Sequence, residues 1–138
     1  MSLDPVAPHL AALRAAAERA MRNAYAPYSE FLVGAALLTP DGTVIAGCNV
    51  ENASYPAGIC AERAAIGAAV ASGHRRFVAV LIRTEADAPT PPCGVCRQVL
   101  AEFGTALIVI AHAATGTEAR WTLADLLPHP FTPSSLDA

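Results

Sequence analysis

Leu10, Leu13, Ala17, Ala20, Met21 and Ala24 recur at helical spacing behind Asp4-Pro5, a cap followed by a first-turn proline. This pattern predicts a helix over about 5–24, ended by Pro27. Two strand-like runs follow, 31–39 and 43–48, and Pro40-Asp41-Gly42 between them predicts a hairpin turn. The polar stretch 47–56 leads into a second helix that opens near Cys60, runs to about Ser72 and stops at Gly73. Gly67 and six alanines leave that helix little bulk on any side, so it can pack closely all round.

Further on, 77–83 reads as a strand, 85–92 as a proline-rich loop, 94–103 as a helix closed by Gly104, and 106–113 as an apolar strand. Alternation of strand, helix, strand, helix and strand implies parallel crossovers with helices packed on the sheet. The short link Ala114-Thr115-Gly116 has room only for a hairpin to 117–122, so the last two strands are expected to be antiparallel. Thr122 then caps a short helix through Leu127, and Pro130-Phe131-Thr132-Pro133 reads as an arm. The expected fold is α/β: a three-layer, five-stranded mixed sheet flanked by helices, in one domain over 1–138.

Composition narrows the function. The chain is 54% hydrophobic and 15% charged, which argues against disorder. Its formal charge of −3 supplies no footprint for a nucleic acid, so a small neutral substrate fits better. Met1-Ser2-Leu3-Asp4-Pro5 lacks the charged and apolar regions of an export signal. No run of about 18 apolar residues is present to span a membrane. A cytoplasmic location is expected, where four cysteines including a Cys-x-x-Cys pair favour metal binding or redox chemistry over disulfides.

The chemistry gathers at two predicted helix starts. Cys93 and Cys96, three apart in a first turn, lie on one face, and the unpaired N–H groups there favour thiolates. Cys60 stands at the corresponding point of the earlier helix. Residues two apart within a helix do not share a face, but a cysteine in the cap position has non-helical geometry, which lets Glu62 reach the same pocket. Three thiolates leave a fourth place on zinc for a water whose pKa falls towards neutrality, and Glu62 can move protons beside it. Arg63 is the cation placed to offset the anionic shell by donating to a ligand sulfur.

A three-cysteine shell with a non-ligating glutamate is the pattern of zinc deaminases, and the likeness extends further. Ala26-Pro27-Tyr28-Ser29, Val33-Gly34-Ala35-Ala36, Gly47-Cys48-Asn49-Val50-Glu51-Asn52, Cys60-Ala61-Glu62-Arg63, Pro92-Cys93-Gly94-Val95-Cys96-Arg97-Gln98 and Leu126-Leu127-Pro128 span almost the whole chain. In that order they resemble the small cytidine deaminases that act on free nucleosides. The resemblance implies one zinc ion per subunit on Cys60, Cys93 and Cys96, with Glu62 as proton shuttle. It implies ribose held by Asn49 and Glu51, and a base pocket including Phe31 and Ala61. It also implies a homotetramer in which Phe131 enters a neighbour's site, and conversion of cytidine and deoxycytidine to uridine and deoxyuridine with loss of ammonia.

Other readings stand beside this one. Cys93 and Cys96 alone would suit a redox pair or a structural zinc clip, and Cys48 is a candidate fourth ligand to close the shell, although lone cysteines mostly fill cores. From the residues alone Asn49 and Glu51 are turn formers, Phe31 is core, Arg63 is a solvated helix residue, and the four histidines and Trp121 are structural or surface groups. Two rivals to the nucleoside enzyme are a non-catalytic structural-zinc module and a deaminase of a cytosine-bearing antibiotic. A deaminase of polynucleotides is disfavoured by the charge and by cysteine, rather than histidine, at position 60.

Overall fold

The computed structural model describes residues 4–137; Met1-Ser2-Leu3, where the export-signal reading begins, lies outside them. The first helix, α1, covers Leu10–Arg22 and is preceded by a 3-10 turn at Ala7–His9. It starts later than the expected residue 5 because Pro8 has no N–H for an early helical bond and biases Ala7 away from helical geometry. Asp4 does act near this start, accepting from the Val6 N–H at 3.0 Å. Leu13, Ala17 and Met21 form the buried stripe of α1, the spacing of one helix face.

Strands β1 (Val33–Leu38) and β2 (Val44–Cys48) form the hairpin, with Asp41 accepting from both polar hydrogens of Thr43. Helix α2 (Ala61–Ala71), strand β3 (Ala79–Thr84), helix α3 (Gly94–Ala101) and strand β4 (Ile108–His112) follow. Strand β5 (Glu118–Thr122) runs directly into the short helix α4 (Leu123–Leu126), which Thr122 caps reciprocally with Asp125.

The five strands lie in the order β2-β1-β3-β4-β5. β1 is antiparallel to both β2 and β3, β3 is parallel to β4, and β4 is antiparallel to β5. Hence β2, β3 and β4 share one direction. The crossover from β2 through α2 to β3 passes over β1, while that from β3 through α3 joins neighbours. The sheet is mixed, and its last two strands are antiparallel as expected.

Alternate residues face opposite layers. Leu37, Val80, Ile82 and Val109 pack with α2, α3 and Leu123, whereas Leu38, Leu81 and Ile110 pack with Leu13 and Ala17 of α1. Two glycines set how closely the helices sit. A Cβ on Gly34 would come within 1.9 Å of the Ala17 carbonyl oxygen, and one on Gly47 within 2.4 Å of the Ala65 nitrogen. Any side chain there would push α1 or α2 off the sheet. Because α2 and α3 follow co-directional strands, both helices begin at the same edge of the sheet, where ligands of α/β proteins generally bind.

Candidate active site and metal centre

Cys60 and Cys93 are the N-cap residues of α2 and α3, both with extended backbone: φ −76°, ψ 156° and φ −68°, ψ 168°. The caps give Cys60 the non-helical geometry that the Cys60/Glu62 spacing demands. The Cys60 and Cys93 sulfurs are 3.9 Å apart, and with Cys96 all three lie within 4.8 Å of one another. Cys48 is not in the cluster. It lies half-buried at the end of β2 rather than in the core.

Glu62, in the first turn of α2, is only 5% exposed. Burial pushes its carboxyl above the ordinary value, against smaller opposing contributions from the Cys96 thiol and Arg63. Cys96 is fully buried, and burial together with the charge of Glu62 pushes its thiol up as well. Burial also acts to raise Cys93, but hydrogen bonding to Cys96 and Cys60 outweighs it and holds that thiol below its ordinary value.

Arg63 sends Nη2 to the Cys60 sulfur at 3.7 Å and to the Gly58 carbonyl at 3.4 Å. Its Nε is buried with no partner. Arg63 is therefore directed at the thiols and is not a freely solvated helix residue. Arg97 supports the second cysteine segment, donating from Nε to the Pro92 carbonyl and from Nη1 to the Leu126 carbonyl, each at 2.8 Å.

The three thiols suit zinc. Four ligands at a Zn–S length of about 2.3 Å in a tetrahedron put sulfurs about 3.8 Å apart, which matches the Cys60–Cys93 separation of 3.9 Å. Thiolates are soft ligands that select such an ion, and its charge reverses the pressure that keeps a buried thiol protonated. Cys60, Cys93 and Cys96 would hold it.

Above these residues opens a cavity of about 470 Å³. Its lining includes Phe31, Asn49, Glu51, Ala61, Glu62 and Arg63, together with Cys60 and Cys93. Phe31 is 38% exposed and faces this space, so it is not core. Val50 pairs with Ile59, which folds the polar loop back and puts Asn49 and Glu51 beside the start of α2. The Asn49 side chain accepts from the Val33 N–H and donates to the Phe31 carbonyl, both at 2.8 Å. It thereby replaces ladder bonds, and β1 begins at Val33 instead of residue 31.

Phe131 lies outside this cavity. It is 60% exposed, and Gln98 of α3 grips its backbone, donating to its carbonyl at 2.8 Å and accepting its N–H at 3.3 Å. Sequence reasoning missed Thr84 and Thr90, whose hydroxyls stand 3.3 Å apart in the cavity wall, and Tyr55 at its mouth. Nothing in the spacing of the two threonines marks them, since β3 and the loop after it meet only in the fold.

A sheet that aims two helix starts, three thiols and a buried acid at one small cavity defines a metal-dependent enzyme for a small substrate. Residues 9–112, well over half of the chain, match the model of the cytidine and deoxycytidylate deaminase zinc-binding region. The chain belongs to that family. It is 44% identical over 126 residues to the cytidine deaminase of Sporosarcina psychrophila, covering 90% of this chain and 92% of the relative. The crystal structure of cytidine deaminase from Burkholderia pseudomallei superposes with a TM-score of 0.84 at 48% identity, over 88% of this chain and 98% of the other. Blasticidin-S deaminase of Bacillus cereus is 31% identical over 108 residues, 72% of this chain and 76% of the relative.

Proposed function

We propose that the chain, acting as one domain, hydrolyses the exocyclic amine of cytidine and deoxycytidine, giving uridine and deoxyuridine plus ammonia. The observation that carries this reading is the buried carboxyl of Glu62, which lines the cavity with Cys60 and Cys93, beside the cluster that these two thiols form with buried Cys96. Zinc on Cys60, Cys93 and Cys96 supplies Lewis-acid activation of the water that the hydrolysis consumes.

Glu62 takes one proton from the attacking water and delivers it to N3 of the cytosine ring, then takes the second from the hydroxyl added at C4 and gives it to the departing amine, which leaves as ammonia. Burial excludes bulk water, so the protons pass through this one carboxyl. Phe31 flanks the base and Ala61 forms part of its wall. Asn49 and Glu51 take the ribose hydroxyls. Glu51 also works against a phosphorylated sugar, because its carboxylate lies in the lining and, Arg63 apart, no Arg or Lys lines the space to offset it.

Arg63 balances the thiolate charge. Phe131 projects from its Gln98 grip into the site of a neighbouring subunit, and exposed Tyr28 and Tyr55, in edge contact at 5.9 Å, belong to the same contact zone of a homotetramer. Among the described residues no helix is long and apolar enough to cross a membrane. The free thiols suit a reducing cytoplasm and a role in pyrimidine salvage.

The test is the ultraviolet absorbance change of cytidine mixed with purified, zinc-loaded protein. Wild type should convert it, and Glu62→Ala should retain zinc but turn over about 10²- to 10⁴-fold more slowly. Near-normal turnover by the variant would remove Glu62 from the mechanism. Conversion of blasticidin S but not cytidine would replace the nucleoside reading with the antibiotic one, and conversion of neither would favour the structural-zinc module.

A further inference from the structure

Tyr28-Ser29-Glu30-Phe31 leads into β1 outside any strand, and besides the Glu30 N–H, which donates to the Ala26 carbonyl at 2.9 Å, its N–H groups and the Phe31 carbonyl are held by side chains. Glu51 Oε1 accepts the N–H groups of Tyr28 and Ser29, both at 3.0 Å, and Oε2 accepts the Ser29 hydroxyl. The same Ser29 oxygen accepts the Phe31 N–H at 3.1 Å, while Asn49 donates to the Phe31 carbonyl. Both polar backbone groups of Phe31 are thus held by side chains.

Between them Glu30 has φ 59°, the one positive φ outside glycine among the described residues. Such a conformation persists only where its surroundings over-determine it. A carboxylate offers about four acceptor positions, and three are filled here, leaving one free for a ligand hydroxyl. The Ser29 hydroxyl also heads the causes that hold the Glu51 carboxyl below its usual range.

We propose that Ser29 is a positioning residue whose hydroxyl couples the sugar-side carboxylate of Glu51 to the ring of Phe31, so that nucleoside recognition at the two ends of the cavity forms one unit. The proposal rests on the nucleoside reading above. Loss of the hydroxyl removes a charge-assisted bond to Glu51 and an acceptor for Phe31 in one step, without touching Glu62 or the thiols. Binding should suffer more than chemistry.

The experiment compares wild type, Ser29→Ala, Ser29→Thr, Glu51→Gln and the Ser29→Ala/Glu51→Gln double variant, all zinc-loaded. For cytidine, Ser29→Ala should raise KM about tenfold with kcat within about threefold, and Ser29→Thr should recover most of the loss. In the Glu51→Gln background the same change should add less than about twofold, because the two residues act together. Hydrogen exchange of the peptide spanning residues 26–33 should speed up about tenfold in Ser29→Ala.

A KM for Ser29→Ala within twofold of wild type, or effects that multiply fully in the double variant, overturns the coupling. Unchanged exchange overturns it whether or not cytidine is the substrate. Wild type that fails on cytidine while Ser29→Ala exchanges faster counts against the nucleoside reading and keeps the Ser29 link to Phe31.

Discussion

The two faces of the sheet use the same kinds of polar residue in opposite ways. On the α1 face, Arg14 grips Glu118 with two bonds of 2.8 and 2.7 Å, and His112 Nδ1 meets the same carboxylate at 2.6 Å. Arg120 grips Asp4 similarly at 2.9 and 2.6 Å. On the α2 and α3 face, burial pushes the Glu62 carboxyl and the Cys96 thiol above their ordinary values, and Arg63 keeps an unpartnered Nε. Charges that find their partners inside the chain hold the fold together. Groups that burial desolvates are costly unless an external ion or substrate completes them.

Removing a thiol tests the costly side and should have the largest effect. Cys96→Ala should reduce bound zinc from one ion per chain to near none and abolish turnover, measured by metal analysis alongside the cytidine assay. Zinc retained at wild-type stoichiometry would show that Cys96 is not a ligand. Chelation of the wild type should lower its Tm, because an ion bound only by the folded state stabilises it.

Matched glycine substitutions then separate the faces. Gly34→Ala and Gly47→Ala each drive a Cβ into helix backbone, and each should cost about 2–4 kcal/mol in urea unfolding. Only Gly47→Ala displaces the helix that carries Cys60 and Glu62, so it alone should also reduce kcat/KM. Equal activity in the two variants would show that the site tolerates movement of α2.

The smallest effect concerns the paired side. A hydrogen bond from Arg14, opposed in part by burial and helped to a lesser degree by His112, holds the Glu118 carboxyl at about 2, below its ordinary 4.5. A carboxyl lowered by folding contributes stability that is fully present above its unfolded pKa. That contribution is lost as pH falls through the folded value, so the window runs from about 4.5 down to about 2. Glu118→Gln should flatten the decline of Tm over this range. Identical pH profiles for the variant and wild type would show that the pair adds nothing to stability, as surface pairs often do not.

The sequence carries the strands and helices, because apolar periodicity, turn residues and caps act over a few positions. It also determined the site's donor set, since Cys60 and Glu62 at one helix start and Cys93 and Cys96 at another are local spacings. The sheet order, in which β1 slips between β2 and β3, is legible in the fold and not in the chain, because strand pairing depends on packing between distant segments. The tertiary structure also places Phe31 in the cavity wall, where the family resemblance rather than the residues alone puts it, and commits Asn49 and Glu51 to holding the loop before β1. Cys48, at the strand end that the sequence predicts, is half-buried rather than core. Arg14 and Glu118 lie 104 residues apart in sequence, and no local pattern can tell that their charges meet while the Glu62 carboxyl is buried beside the clustered thiols.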